Sequence, residues 1–234
     1  MASLTGALFL AAVHLFGSKL RFLNVIPRSR WLSIAGGVAV AYALLHLLPE
    51  LNEYHDVLHH FVSDTPFALI AGHVIWFFVL LGLLLFYGLE KAALGAKADS
   101  ESNGVFWVHI GTYAIYNGLL GYLLVKEYRD VTSLTLFVIG IGLHFLVNDH
   151  ALRQHHRKTY HRRGRWILAA AILCGWAVGL STEIHEVITA TVIAFLAGGI
   201  LLNSFKEELP EERESRFGSF AVGAVGYALL LMMT

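Results

Sequence analysis

The sequence predicts an all-α, polytopic membrane protein with eight transmembrane helices, and three observations predict it. Of the 234 residues, 56% are apolar and only 15% are charged, with a mean hydropathy of +0.62. A soluble domain carries a more polar surface than this composition supplies, so lipid is the natural solvent. The apolar residues gather into eight segments separated by short polar connections. The basic residues, finally, fall almost wholly in alternate connections.

The segments run Leu4–Leu23, Leu32–Leu51, Pro66–Leu89, Val105–Val125, Leu134–Leu152, Trp166–Leu180, Val187–Phe205 and Phe217–Met233. Each approaches the ~20 residues that cross ~30 Å of hydrocarbon as a helix, the first and sixth with least to spare. Strands are not expected, because an open strand in lipid leaves its backbone unpaired and no alternating ten-residue pattern points to a barrel. The first segment has no basic stretch before it and no small-residue cleavage site after it. Lys19, Arg21, Arg28 and Arg30 follow instead, so it reads as an anchored helix rather than a cleaved leader. The second begins with Gly36-Gly37 and ends with His46, Pro49 and Glu50. The third is almost unbroken apolar sequence, and the connection after it, Lys91–Gly104, is expected to be a flexible loop within one compact domain covering residues 1–234. The fourth carries His109, Tyr113 and Asn117, and the fifth His144, Asn148 and Asp149. The sixth has no acidic residue and holds the one cysteine, Cys174, expected as a small buried hydrophobe. The seventh bears Gly198-Gly199, and the eighth is the last apolar run.

Alternate connections fix the expected orientation. Lys19, Arg21, Arg28 and Arg30, then Lys91 and Lys97, then six basic residues within 153–165, then Lys206, Arg213 and Arg216 fall on one side; Lys126 and Arg129 fall on the other. The positive-inside rule then puts both termini outside an inner (plasma) membrane. The 153–165 run reads as an anchor against anionic lipid, with His155, His156 and His161 able to take up a delivered metal ion. Seventeen basic and seventeen acidic residues cancel, so nothing points to nucleic acid as a partner. Without a His-Glu-x-x-His motif or a Ser/His/Asp cluster, an enzyme is not expected. Paired histidines on facing helices leave a haem-binding electron-transfer protein as a further reading.

Four prolines occur in the chain, and two of them share a context. Aligning Pro49 with Pro210 superposes small residues at the helix start, Gly36-Gly37 in the second helix and the Gly198-Gly199 region in the seventh, and Leu-Pro-Glu on Leu-Pro-Glu at their ends. Since the two helices run in opposite directions, the match predicts an inverted repeat, a common architecture of secondary transporters.

The stretch from Gly37 to Glu50, with His46-Leu-Leu-Pro49-Glu50 at its end, resembles the second helix of the ZIP (Zrt/Irt-like) divalent-metal transporters. The eight segments, the acidic and His-bearing outer connection and the Gly-rich seventh helix extend the resemblance over nearly the whole chain. It implies a ZIP-like inverted-repeat bundle that moves zinc or another divalent cation by alternating access, and a homodimer. It also implies a metal centre on helices four and five. There the family patterns His-Asn-x-x-Glu-Gly and His-Asp-x-x-Glu-Gly fall on Tyr113 to Gly118 and on His144 to Asp149, so that His144 and Gly118 match while carboxylates are lost. The helix-kinking prolines of both motifs are absent, at Tyr116 and Val147.

Helical spacing gathers the polar groups that remain. His109, Tyr113 and Asn117 share one face of helix four, and His144 and Asn148 share one face of helix five, with Asp149 about 100° away. These six are the candidate metal ligands, since imidazole and carboxylate suit a borderline ion. The competing expectation is that they hydrogen-bond one another and bind nothing, which fits a non-transporting relative with an interaction or sensing role. Asp149 has His150 and Arg153 as sequence neighbours, and an ion pair at the interface would satisfy it. His46, Glu50, Glu53, His55 and His59 form a candidate entrance, with His55 and His59 one helical turn apart. His14 and His73 are expected as packing residues.

Overall fold

The computed structural model describes residues 1–20, 29–95, 103–126, 130–208 and 216–233. Its elements are helical throughout: α1 (Ala2–Phe16), α2 (Arg30–Tyr42), α3 (Leu48–Glu53), α4 (His55–Ser63), α5 (Val74–Gly95), α6 (Asn103–Lys126), α7 (Val131–Thr159), α8 (Arg165–Ser181), α9 (Glu186–Glu208) and α10 (Phe217–Met232). Seven helical stretches are long and apolar enough to cross a membrane, and α10 is a shorter apolar helix of 16 residues. Large apolar side chains point outward along α5 and α10, among them Phe77, Leu80, Leu84, Val222, Val225 and Leu229. So much exposed apolar surface suits contact with lipid, and the chain is an integral membrane protein. The second pass continues helical through α3 and α4 to Ser63, where the sequence predicted a loop after Leu51. Cys174 lies exposed on α8 rather than buried, because Gly175, not its neighbour, faces α6.

Contacts between side chains fix the relative directions of the helices. Trp176 donates its indole N–H to Ser3 (3.3 Å) and Arg165 donates to the Leu15 carbonyl (3.4 Å), so α1 runs antiparallel to α8. Gly6 meets Val138, Gly142 meets Phe9, and His14 meets Asp149, so α1 runs parallel to α7. Leu32 and Ala35 pack on Val147 while Tyr42 packs on Phe137, which makes α2 antiparallel to α7.

Three parallel pairs are sealed by glycine. In α2/α10 a Cβ at Gly37 would run into the Phe220 carbonyl, and one at Gly223 into the Ile34 carbonyl. In α5/α9 the same holds for Gly198 against Val79 and for Gly82 against Phe195, and in α6/α8 for Gly121 against Ile172 and Gly175 against Gly118. Only small residues let backbones approach so closely, and in lipid this packing substitutes for the missing hydrophobic drive.

The first two pairs correspond residue for residue. Pro49 aligned on Pro210 brings Gly37 onto Gly198 and Ile34 onto Phe195, the residues that make the crossings in α2 and α9. Their partners follow with one constant offset: Phe220, Gly223 and Ala224 of α10 match Val79, Gly82 and Leu83 of α5. Tyr42 and Tyr227 then contact α7, whereas the matching Asn203 and Phe86 contact α6. The α2/α10 and α5/α9 pairs thus form two matched arms, one contacting α7 and the other α6.

Candidate functional site

At one end of the bundle, Pro49 distorts the second pass. Proline offers no N–H to the carbonyl four residues earlier and its ring crowds that carbonyl. Residues Ala43–Leu47 accordingly widen into a π-helical turn, a distortion often found at functional sites. His46 lies on this turn, 5.2 Å ring to ring from Tyr42 and 3.8 Å from the Glu50 carboxylate. Leu45, His46, Pro49, Glu50 and Glu53 join Asp130 and Ser133 around an open cavity of about 320 Å³. Asp130 caps α7 by accepting the Ser133 backbone N–H (2.9 Å), and the backbone and side-chain hydrogen bonds from Ser133 hold its carboxyl below the ordinary range. The predicted entrance is therefore assembled for His46, Glu50 and Glu53. His55 and His59 stack 5.9 Å apart on α4, outside the cavity lining.

Glu50 also lines a narrow cavity of about 10 Å³, otherwise surrounded by Tyr42, Leu47, Leu120, Leu123, Phe137, Ile141, Ile193, Leu196 and Ile200. That volume is at the lower limit for a single water, and its walls are apolar.

The core has two nodes. In the first, His14 of α1 stands between α6 and α7: its Nδ1 lies 3.0 Å from each oxygen of Asp149, and its Nε2 lies 2.9 Å from Oδ1 of Asn117. His14, Asn117 and Asp149 are each 1% exposed. Asn117 donates its amide N–H to the Tyr113 carbonyl at 2.6 Å, which fixes Oδ1 toward the imidazole, so Nε2 carries a proton. In the second node, Asn148 donates to His144 Nε2 at 2.9 Å, leaving the proton on Nδ1, which has no partner among the described residues. Tyr116 and Phe145 rings flank His144 at 6.2 and 6.4 Å, and Phe145 also stacks on His14 at 4.4 Å.

No family model and no curated protein matches this chain. What the site can do therefore rests on its geometry. Among the described residues, no three His, Cys, Asp or Glu side chains stand close enough together to hold a metal ion. The six candidate ligands are divided: Asn117 and Asp149 belong to the His14 node, His144 and Asn148 form the other, and Tyr113 accepts a hydrogen bond from Asn203 at 3.0 Å through its hydroxyl. The side chain of His109 lies outside the described residues. Asp149 is deep in the protein with His14 against both its oxygens, and Arg153, the sequence neighbour expected to pair with it, interacts with the same carboxylate, as does Tyr160. His14 is the functional residue that sequence reading missed. It is the one ionisable side chain between Ala2 and Ser18, and a carboxylate buried in lipid needs a cationic or donor partner from a neighbouring helix.

Proposed function

We propose that the protein is a ZIP-like membrane transporter of divalent metal ions, zinc or a similar cation, working by alternating access. The carrying observation is the buried Asp149 carboxylate, with His14 against it and His144 five residues earlier on the same helix. Ionisable groups inside a membrane bundle mark ion pathways, because holding them there is costly without a use. The vestibule of Glu50, Glu53 and Asp130 supports the reading, since three carboxylates concentrate cations at its mouth. An arriving ion competes with His14 for the carboxylate, while His144 and Asn148 supply nitrogen and oxygen once the apolar side chains packed beside Glu50 part. The two matched arms supply elements that can rock against α6 and α7. The homodimer, the termini outside and the inner membrane belong to the same proposal.

Vesicles containing the purified protein should accumulate zinc above empty vesicles, and the double variant His144→Ala, Asn148→Ala should reduce uptake to background. Uptake equal to that of empty vesicles removes the transport reading. A second reading, a non-transporting protein of this architecture, is favoured by the mutual satisfaction of His14, Asp149 and Asn117. Under that reading the wild type binds no zinc in equilibrium dialysis and its vesicles take up none.

A further inference from the structure

The end of the bundle opposite the vestibule collects basic and aromatic side chains from three elements. At the end of α1 the Lys19 ammonium lies 4.9 Å from the Phe16 ring. At the start of α6, Trp107 stacks under the Arg163 guanidinium at 5.8 Å. At the start of α8, Arg165 lies 5.5 Å from the Trp166 ring. Gly164 packs against Ile110 and Arg165 reaches the Leu15 carbonyl, so the turn between α7 and α8 is tied to both α6 and α1. Trp107, Trp166 and Phe16 are 41%, 56% and 53% exposed, and Arg162 and Arg163 are exposed beside them. Among the described residues, none of Lys19, Arg162, Arg163 and Arg165 is paired with a carboxylate, and Arg165 Nε is buried without an acceptor.

We propose that this notch is a binding site for the phosphodiester headgroup of an anionic phospholipid. Arginine presents a planar fork of donors that matches two phosphate oxygens, and its stacking on tryptophan orients the fork beforehand. Tryptophan rings favour the headgroup level of a membrane, where such phosphates lie, and basic pockets between helices bind them. The cavity at the opposite end is lined by Glu50, Glu53 and Asp130, which repel a phosphate. The site is independent of whether the protein transports ions.

The test uses the full chain in nanodiscs and in neutral detergent, with phosphatidylglycerol and phosphatidylcholine as probes read by native mass spectrometry. Phosphatidylglycerol should be retained at least tenfold more than phosphatidylcholine. Arg163→Gln together with Arg165→Gln should lose at least fivefold of that preference, and Arg163→Gln alone, at an exposed position, should lose part of it with unchanged thermal unfolding in phosphatidylcholine. Lys126→Gln, at the vestibule end, should leave the preference intact. Equal retention of the two lipids, full retention by a folded Arg163→Gln, or saturable binding of inorganic phosphate without any lipid preference would each overturn the proposal.

Discussion

The α2/α10 and α5/α9 arms make the same glycine crossings at the same relative positions, yet they present different chemistry to the helices between them. Tyr227 donates to the Leu136 carbonyl at 2.6 Å and Tyr42 packs 6.0 Å from Phe137, whereas Asn203 donates to the Tyr113 hydroxyl and Phe86 packs 5.5 Å from the same ring. Backbone approach at a crossing admits almost no alternative to glycine, so those positions hold the architecture fixed. Side chains one or two turns away are free to diverge, and the arms have used that freedom. The vestibule extends the contrast: His46, Glu50 and Glu53 align in sequence with Glu207, Glu211 and Glu214, all carboxylates.

The largest expected effect lies in the core that both arms enclose. His14→Ala removes the imidazole that lies against both Asp149 oxygens, and breaking a buried pair from one side costs about 3–5 kcal/mol; thermal unfolding in detergent should report it, and adding Asp149→Ala should restore part of the loss. Equal stability of His14→Ala and wild type would mean that the node contributes nothing to holding α1. Next come the crossings themselves. Gly37→Leu and Gly198→Leu each force a side chain against a carbonyl and should each cost about 1–3 kcal/mol or more. Equivalence requires the two losses to match, and a loss confined to one arm breaks it. The smallest effect belongs to Asp130, which caps α7 beside one arm. Its carboxyl is held below the ordinary range, so the stability it contributes is present above about pH 4 and is lost as the pH falls through its lowered value. Unfolding followed from pH 7 to pH 3 should show a small acid loss in the wild type that Asp130→Ala lacks.

Spans were legible because apolar length decides them: the predicted 134–152 and 166–180 lie inside α7 and α8, and 217–233 nearly coincides with α10. The matched crossings of α2 and α9 were legible from the alignment of Pro49 with Pro210, because proline and glycine constrain the backbone directly. The polar core was legible only in part. One-turn spacing within a helix correctly joined His144 to Asn148, since that relation is local. Which helix would supply the partner of Asp149 depended on packing between α1, α6 and α7, and no periodicity within a single helix encodes that. The helical continuation through α4 was missed because its charged and His-rich composition resembles a solvated connection.

The widened turn at Ala43–Leu47 carries a consequence for evolution as well as for shape. A π turn holds one residue more than regular winding over the same rise, so everything beyond it is rotated by about 100° relative to an unbroken α-helix. Pro49→Ala, with every residue kept, would let the helix rewind to regular α winding. His46, Glu50 and Glu53 would then swing as a block away from Asp130, and the vestibule would be dismantled with every one of its acidic groups still in the chain.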